Sequence, residues 1–171
     1  MTKKTIIASA VGLALCASLA ACAGEADDAA GDGAVAEETA SEEISVIDER
    51  QANFESIGDA FMAIREQMES GEPDFEAVSA SAATIDAAAQ LVSGYFPEGT
   101  GMDSGAETEA LATIWEQPEE FSAAAEQLTT ASAGLVEAAA TADAGAVGAA
   151  SMELGGACMN CHETFRLDDE S

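Results

Sequence analysis

Cys158, Cys161 and His162 stand together in the run Cys158-Met159-Asn160-Cys161-His162, a C-x-x-C-H spacing. Two thiols three positions apart on a helix can add to the two vinyl groups on one edge of a porphyrin. The histidine directly after the second thiol then falls beneath the metal and can ligate iron through an imidazole nitrogen. The chemistry this pattern points to is covalent attachment of one haem c, with His162 as the iron ligand. Two other readings of paired cysteines fit poorly. A structural zinc site needs four ligands; the remaining cysteines, Cys16 and Cys22, lie in a leader-like segment, and His162 is the only histidine. A thioredoxin-type pair opens a helix after a strand, whereas this pair follows a long helical pattern.

The elements that must position these groups are helical. Apolar residues make up 48% of the 171-residue chain but aromatics only 5%, and alanine is abundant, a balance that favours helices with slender side chains. From Ile44 onward Ile47, Phe54, Ile57, Phe61, Ile64 and Met68 recur at intervals of seven, three, four, three and four, the stripe of a bundle helix. The register position left open in that stripe is 50, and it holds Arg50. Gly71-Glu72-Pro73 closes this helix. A second helix is expected from Asp74 to about Ser93, with Phe75, Val78, Ala82, Ile85, Ala89 and Val92 on one face. Residues 94–107 hold four glycines and a proline and read as a long crossover loop. Pro118 suits the first turn of a third helix bearing Phe121, Leu128 and Leu135. After the turn Ala142-Asp143-Ala144-Gly145, a fourth helix aligns Val147, Leu154, Cys158, Cys161 and Phe165. No window reads as a strand. The expected fold is all-α, an antiparallel four-helix bundle over residues 44–168, with room between Ala- and Gly-rich stripes for a porphyrin.

The remaining segments read differently. Lys3 and Lys4 precede an apolar run from Ile6 to Ala20, too short to span a bilayer comfortably, as in a secretory signal over residues 1–21. Leu19-Ala20-Ala21-Cys22 resembles a bacterial lipobox, which implies cleavage before Cys22 and lipid on its thiol and amine; an ordinary signal peptide with an incidental cysteine is the alternative. Residues 22–43, poor in large apolar side chains, are expected to form an acidic unfolded tether, and 169–171 a short tail. Acidic residues number 33 against five Lys and Arg. Such a surface repels nucleic acid and anionic lipid, so contact with a membrane is expected only through the N-terminal lipid. The acids are spread along the whole chain, which favours salt adaptation over a single docking face for a basic partner.

Taken together, the chain resembles the cytochrome c′ family, the class II cytochromes c. The likeness covers about residues 44–166. It rests on Arg50-Gln51, on Phe96-Pro97-Glu98-Gly99-Thr100, on Ile114-Trp115 before the third helix, and on Cys158 to Arg166. The resemblance implies a four-helix bundle with C-x-x-C-H on its last helix, thioethers from Cys158 and Cys161, and His162 as the axial ligand. It further implies that Arg166 stands near the solvent side of that imidazole, where a cation also suits a helix C-terminus. Arg50 sits where a haem propionate would need a cation; a rim arginine paired with a carboxylate is the other reading. Phe54 matches the position facing the distal side of the iron, where low-spin relatives carry methionine. Phenylalanine has no donor atom, so five-coordinate iron under an apolar lid is expected, open to nitric oxide and carbon monoxide. A low-spin electron carrier with a methionine ligand is the alternative, with Met62 the first residue to test; an enzyme is not expected. The implied location is the periplasm of a Gram-negative bacterium, anchored by lipid. The redox partner is unspecified and a homodimer is compatible. Many relatives have lysines around the motif, whereas Met159 and Asn160 fill it here and Leu167-Asp168-Asp169-Glu170 follows.

Overall fold

The structure, a computed structural model, describes residues 32–167, with side chains from residue 45 onward. Cys22, the leader and the C-terminal tail lie outside the described residues. Four long helices pack in sequence: α1 (Asp32–Glu69), α2 (Phe75–Ala89), α4 (Pro118–Ala140) and α5 (Ala144–Phe165), with a single turn, α3 (Thr113–Glu116), ahead of α4. Among the described residues the only extended pairing is one isolated antiparallel bridge, between Ala110 and Arg166. The all-α bundle expected from the periodicity is the observed architecture.

Local chemistry accounts for the helix ends. Gly71 adopts φ +80° to leave α1. Asp74 then caps α2, its carboxylate accepting from the N–H groups of Glu76 (3.0 Å) and Ala77 (3.3 Å). Pro118 opens α4 at a position that needs no N–H, and Asp143 caps α5 by accepting from Ala146 N–H at 2.7 Å.

Two boundaries differ from expectation. α1 begins at Asp32, so the second half of the stretch read as an unfolded tether is helical. Its run of Ala and Glu cannot bury much surface, yet these are strong helix formers, and extending an existing helix needs no new nucleus. α2 ends at Ala89 rather than near Ser93, and the chain passes through a 3₁₀ turn, Val92–Tyr95, that keeps Val92 buried.

α1 packs along α2, α2 along α4, and α4 along α5, whereas α1 and α5 stand apart. The core of the three close pairs is built from Ile64, Val78, Ile85, Leu135, Val147 and Leu154, all essentially without exposed surface. Each such side chain contributes about 1.5–3 kcal/mol on burial. Ser132 adds a polar tie, donating from α4 to the Asp86 carboxylate on α2 at 2.9 Å. Beyond α5 the chain turns back against the crossover: Leu111 N–H donates to Phe165 O (3.0 Å) and Leu167 N–H to Glu109 O (2.8 Å). These bonds fix the end of the helix that bears the cysteines.

Candidate cofactor site

The separation of α1 from α5 creates a cavity of about 840 Å³, within the range of about 300–1,000 Å³ usual for small-molecule and cofactor sites. One wall is the stripe of α1 bearing Arg50, Phe54, Ile57 and Phe61; the opposite wall is the face of α5 bearing Leu154, Cys158, Cys161 and His162. The floor, from α4, is Phe121, Ala124, Ala125 and Leu128. The periodicity explains this convergence. Cys158 and Cys161 continue the three/four stripe begun by Val147 and Leu154, so they face inward, while Gly58, Ala124, Ala125 and Ala157 keep the walls thin.

Both cysteines are half-buried free thiols. Burial pushes both up from the usual thiol range, and Cys161 is raised further by its neighbour Cys158. Before any covalent bond forms they are therefore neutral thiols at physiological pH. His162, half-buried, lines the same space.

Arg50 is only 3% exposed, and no ion pair to it is found among the described residues. Its guanidinium donates to neutral acceptors of the crossover: Tyr95 O (3.3 Å), Thr100 Oγ1 (3.2 Å), Thr100 O (3.0 Å) and Thr108 Oγ1 (2.7 Å). It also lies over the Phe96 ring, 4.6 Å from the centroid. Burial lowers its pKa from the ordinary arginine value. A guanidinium so placed is hydrogen-bonded but not neutralised, and a buried charge in that condition is costly unless an anion joins it. The reading of Arg50 as a rim arginine paired with a carboxylate is not what the structure shows.

Phe54 starts a chain of edge-on aromatic contacts through Phe96 (6.3 Å), Phe121 (4.8 Å) and Phe165 (5.3 Å) that surrounds one end of the cavity. Trp115 packs against Phe96 (6.5 Å between centroids) and donates from Nε1 to Phe96 O (3.0 Å) and Pro97 O (3.1 Å). Its ring lies so near Gly101 that a Cβ there would approach to 3.0 Å, so this crossover position admits only glycine without a shift. Met62 is 51% exposed and is not among the lining residues.

Arg166 forms an exposed ion pair with Glu109 at 2.6 Å, and its backbone N–H donates to His162 O at 3.2 Å. It is thus tied to both the crossover and the helix turn bearing the histidine. Sequence reasoning did not single out Thr108 and Glu109, which hold Arg50 and Arg166. Short polar side chains in a glycine-rich loop have no periodicity to reveal them.

The sequence model of the family described as Cytochrome C′ matches residues 45–166. The chain belongs to the cytochrome c′ family. A cytochrome c′ of Pararhodospirillum photometricum is 35% identical over 120 residues, 70% of this chain and 94% of that protein. A cytochrome c-554 of Cereibacter sphaeroides is 35% identical over 97 residues, 56% of this chain; the match spans 63% of that relative's length. The crystal structure of the Thermochromatium tepidum cytochrome c′ superposes with a TM-score of 0.70 at 30% identity, covering 74% of this chain and 97% of that one.

As in the family, the cofactor is covalent haem c with its iron. The residues present fit it: two free thiols and an imidazole border one cavity of suitable volume, and on the facing wall stands a buried cation with no counter-ion among the described residues. Cys158 and Cys161 are the groups that would form the thioethers, His162 would supply the axial nitrogen, and Arg50 would neutralise a carboxylate of the bound group. When bound, the haem would supply a redox-active iron.

Proposed function

We propose that this cytochrome c′ binds nitric oxide or carbon monoxide at five-coordinate iron and serves as a gas-binding or nitric oxide-buffering protein. The observation that supports this reading is the composition of the cavity wall on α1. Phe54, Ile57, Gly58 and Phe61 offer no donor atom, and no methionine lines the cavity among the described residues. Apart from Cys158, Cys161 and His162 on the α5 wall, the polar lining comes from Arg50 and Gln51 on α1, from Glu107, Thr108 and Glu109 of the crossover, and from Arg166. An apolar space disfavours water and charged ligands while admitting neutral gases. The alternative, a dedicated electron carrier with a methionine sixth ligand, finds no candidate, since Met62 is largely exposed. Titration of the ferrous protein with carbon monoxide tests the proposal: saturable binding with a shifted Soret band is expected, and an unchanged spectrum contradicts it.

The same reading places the protein in the periplasm, held to a membrane by lipid on Cys22. Its support is the leader composition and the Leu19-Ala20-Ala21-Cys22 sequence. More than one acyl chain gives stable anchoring. A Cys22→Ser variant that is still exported should move from the membrane pellet to the soluble periplasmic fraction. High salt should not release the wild type, because the anchor is apolar; release by salt alone would reject lipidation. A homodimer is also proposed. A solved cytochrome c′ at 30% identity and TM-score 0.68 has ligand-controlled dimer dissociation, and sedimentation with and without carbon monoxide tests the same property here.

A further inference from the structure

α1 and α5 part around the cavity, yet one short stretch of the crossover, residues 107–111, is bonded to both. On the α1 side, Gln51 Nε2 donates to Glu107 O and Arg50 Nη2 to Thr108 Oγ1, each at 2.7 Å. On the α5 side, Arg166 Nε donates to the Glu109 carboxylate at 2.6 Å, Leu167 N–H to Glu109 O at 2.8 Å and Leu111 N–H to Phe165 O at 3.0 Å. Neighbouring side chains on this stretch thus reach opposite walls, Thr108 holding the α1 cation and Glu109 the α5 one.

The joint is continuous from atom to atom. Thr108 Oγ1 accepts from Arg50 and also from Ala110 N–H (3.2 Å). Ala110, only 8% exposed, is the residue bridged to Arg166. Arg166 N–H donates in turn to His162 O at 3.2 Å, closing the last turn of α5. A path of hydroxyl and backbone bonds therefore runs from a buried guanidinium on α1 to the peptide of the histidine on α5. Thr100 also accepts from Arg50, but its own hydroxyl donates back within the crossover, to Pro97 O at 2.8 Å. The Glu109–Arg166 pair is nearly half exposed, so it carries little weight in stability. Its use is geometric: with the bridge, it fixes where the chain leaves the turn that bears His162.

We infer that Thr108 and Glu109 are positioning residues that couple the Arg50 end of the haem site to His162, so that the crossover sets how the imidazole stands relative to the iron. A change in what Arg50 binds is passed to the turn carrying His162 through bonds that substitution can interrupt. This coupling presupposes His162 as the axial ligand and does not depend on which gas the iron binds.

The haem-loaded ferrous protein should be compared with its variants by resonance Raman spectroscopy and by hydrogen exchange. Thr108→Val removes no hydrogen bond to α5, yet it is expected to shift the iron–histidine stretching band. It should also speed exchange of the Arg166 and Leu167 amides about fivefold, as loss of one ordinary hydrogen bond would, with the core amides of α2 unchanged. Thr108→Ser, which keeps the hydroxyl, should restore both readouts. Glu109→Gln should shift the same band, and combining it with Thr108→Val should shift it no further than the larger single change. Thr84→Val, which removes a hydroxyl bonded to Ala80 O on α2, should alter neither. An unchanged band and unchanged amides in Thr108→Val, or shifts that simply add in the double variant, would overturn the coupling. Absence of the band from the wild type would count against five-coordinate iron rather than against the coupling. The exchange rates then decide alone, and unchanged Arg166 and Leu167 amides in Thr108→Val would overturn it.

Discussion

Cys158→Ala combined with Cys161→Ala is expected to abolish covalent haem, leaving none with the polypeptide after acid–acetone extraction. Each single replacement should sharply reduce retention, and Cys16→Ala should leave it unchanged. The expectation follows from where the thiols stand. Both are half-buried on the α5 wall of the same cavity, three positions apart, and neither is engaged in a disulfide. The double variant should also lose stability. A cavity of about 840 Å³ in so small a bundle is surface that an occupant would otherwise cover, and a ligand that binds only the native state stabilises it. The melting temperature of the double variant should therefore fall well below that of the haem-loaded wild type. Covalent haem at the normal level in the double variant would show that these cysteines are not the attachment site.

Phe54→Met should change the ligand chemistry more than any other single substitution. Phe54 sits one turn beyond Arg50 on the cavity face of α1, with its ring edge-on to Phe96. Methionine at this position keeps the apolar volume and adds a thioether able to compete for the sixth position of iron. A competitor worth about 3 kcal/mol would lower carbon monoxide affinity about a hundredfold. The ferrous spectrum should shift to low spin at the same time. Phe54→Ala separates the donor effect from the steric one. It removes the ring, at about 3–5 kcal/mol of stability for a fully buried phenylalanine and less for this half-buried one, and should raise carbon monoxide affinity by relieving the displacement of the side chain. Equal affinity in wild type, Phe54→Met and Phe54→Ala would mean that residue 54 does not face the bound gas.

Much of this was legible in the sequence because the bundle is periodic. The intervals among Ile47, Phe54, Ile57, Phe61 and Ile64 identify which face of α1 turns inward, and the interruption at Arg50 marks a polar group in a core register. The glycine-rich crossover hides its contribution. Thr100 and Thr108 converge on one guanidinium from positions fifty and fifty-eight residues away, and only the folded path of the loop brings them there. Glu109 likewise meets Arg166 across 57 residues through the isolated bridge that turns the chain back. The start of α1 is hidden for a different reason. Low apolar content over residues 22–43 suggests an absence of structure, whereas alanine and glutamate continue a helix already nucleated by the buried stripe beyond Ile44.

The most direct test of the gas-binding account is the absorption spectrum of the purified, haem-loaded ferrous protein at neutral pH, before any gas is added. Apolar Phe54 and the absence of a lining methionine among the described residues predict five-coordinate, high-spin iron with a single broad visible band. Sharp, split low-spin peaks would mean that a side chain of the protein already occupies the sixth position, and would contradict the account.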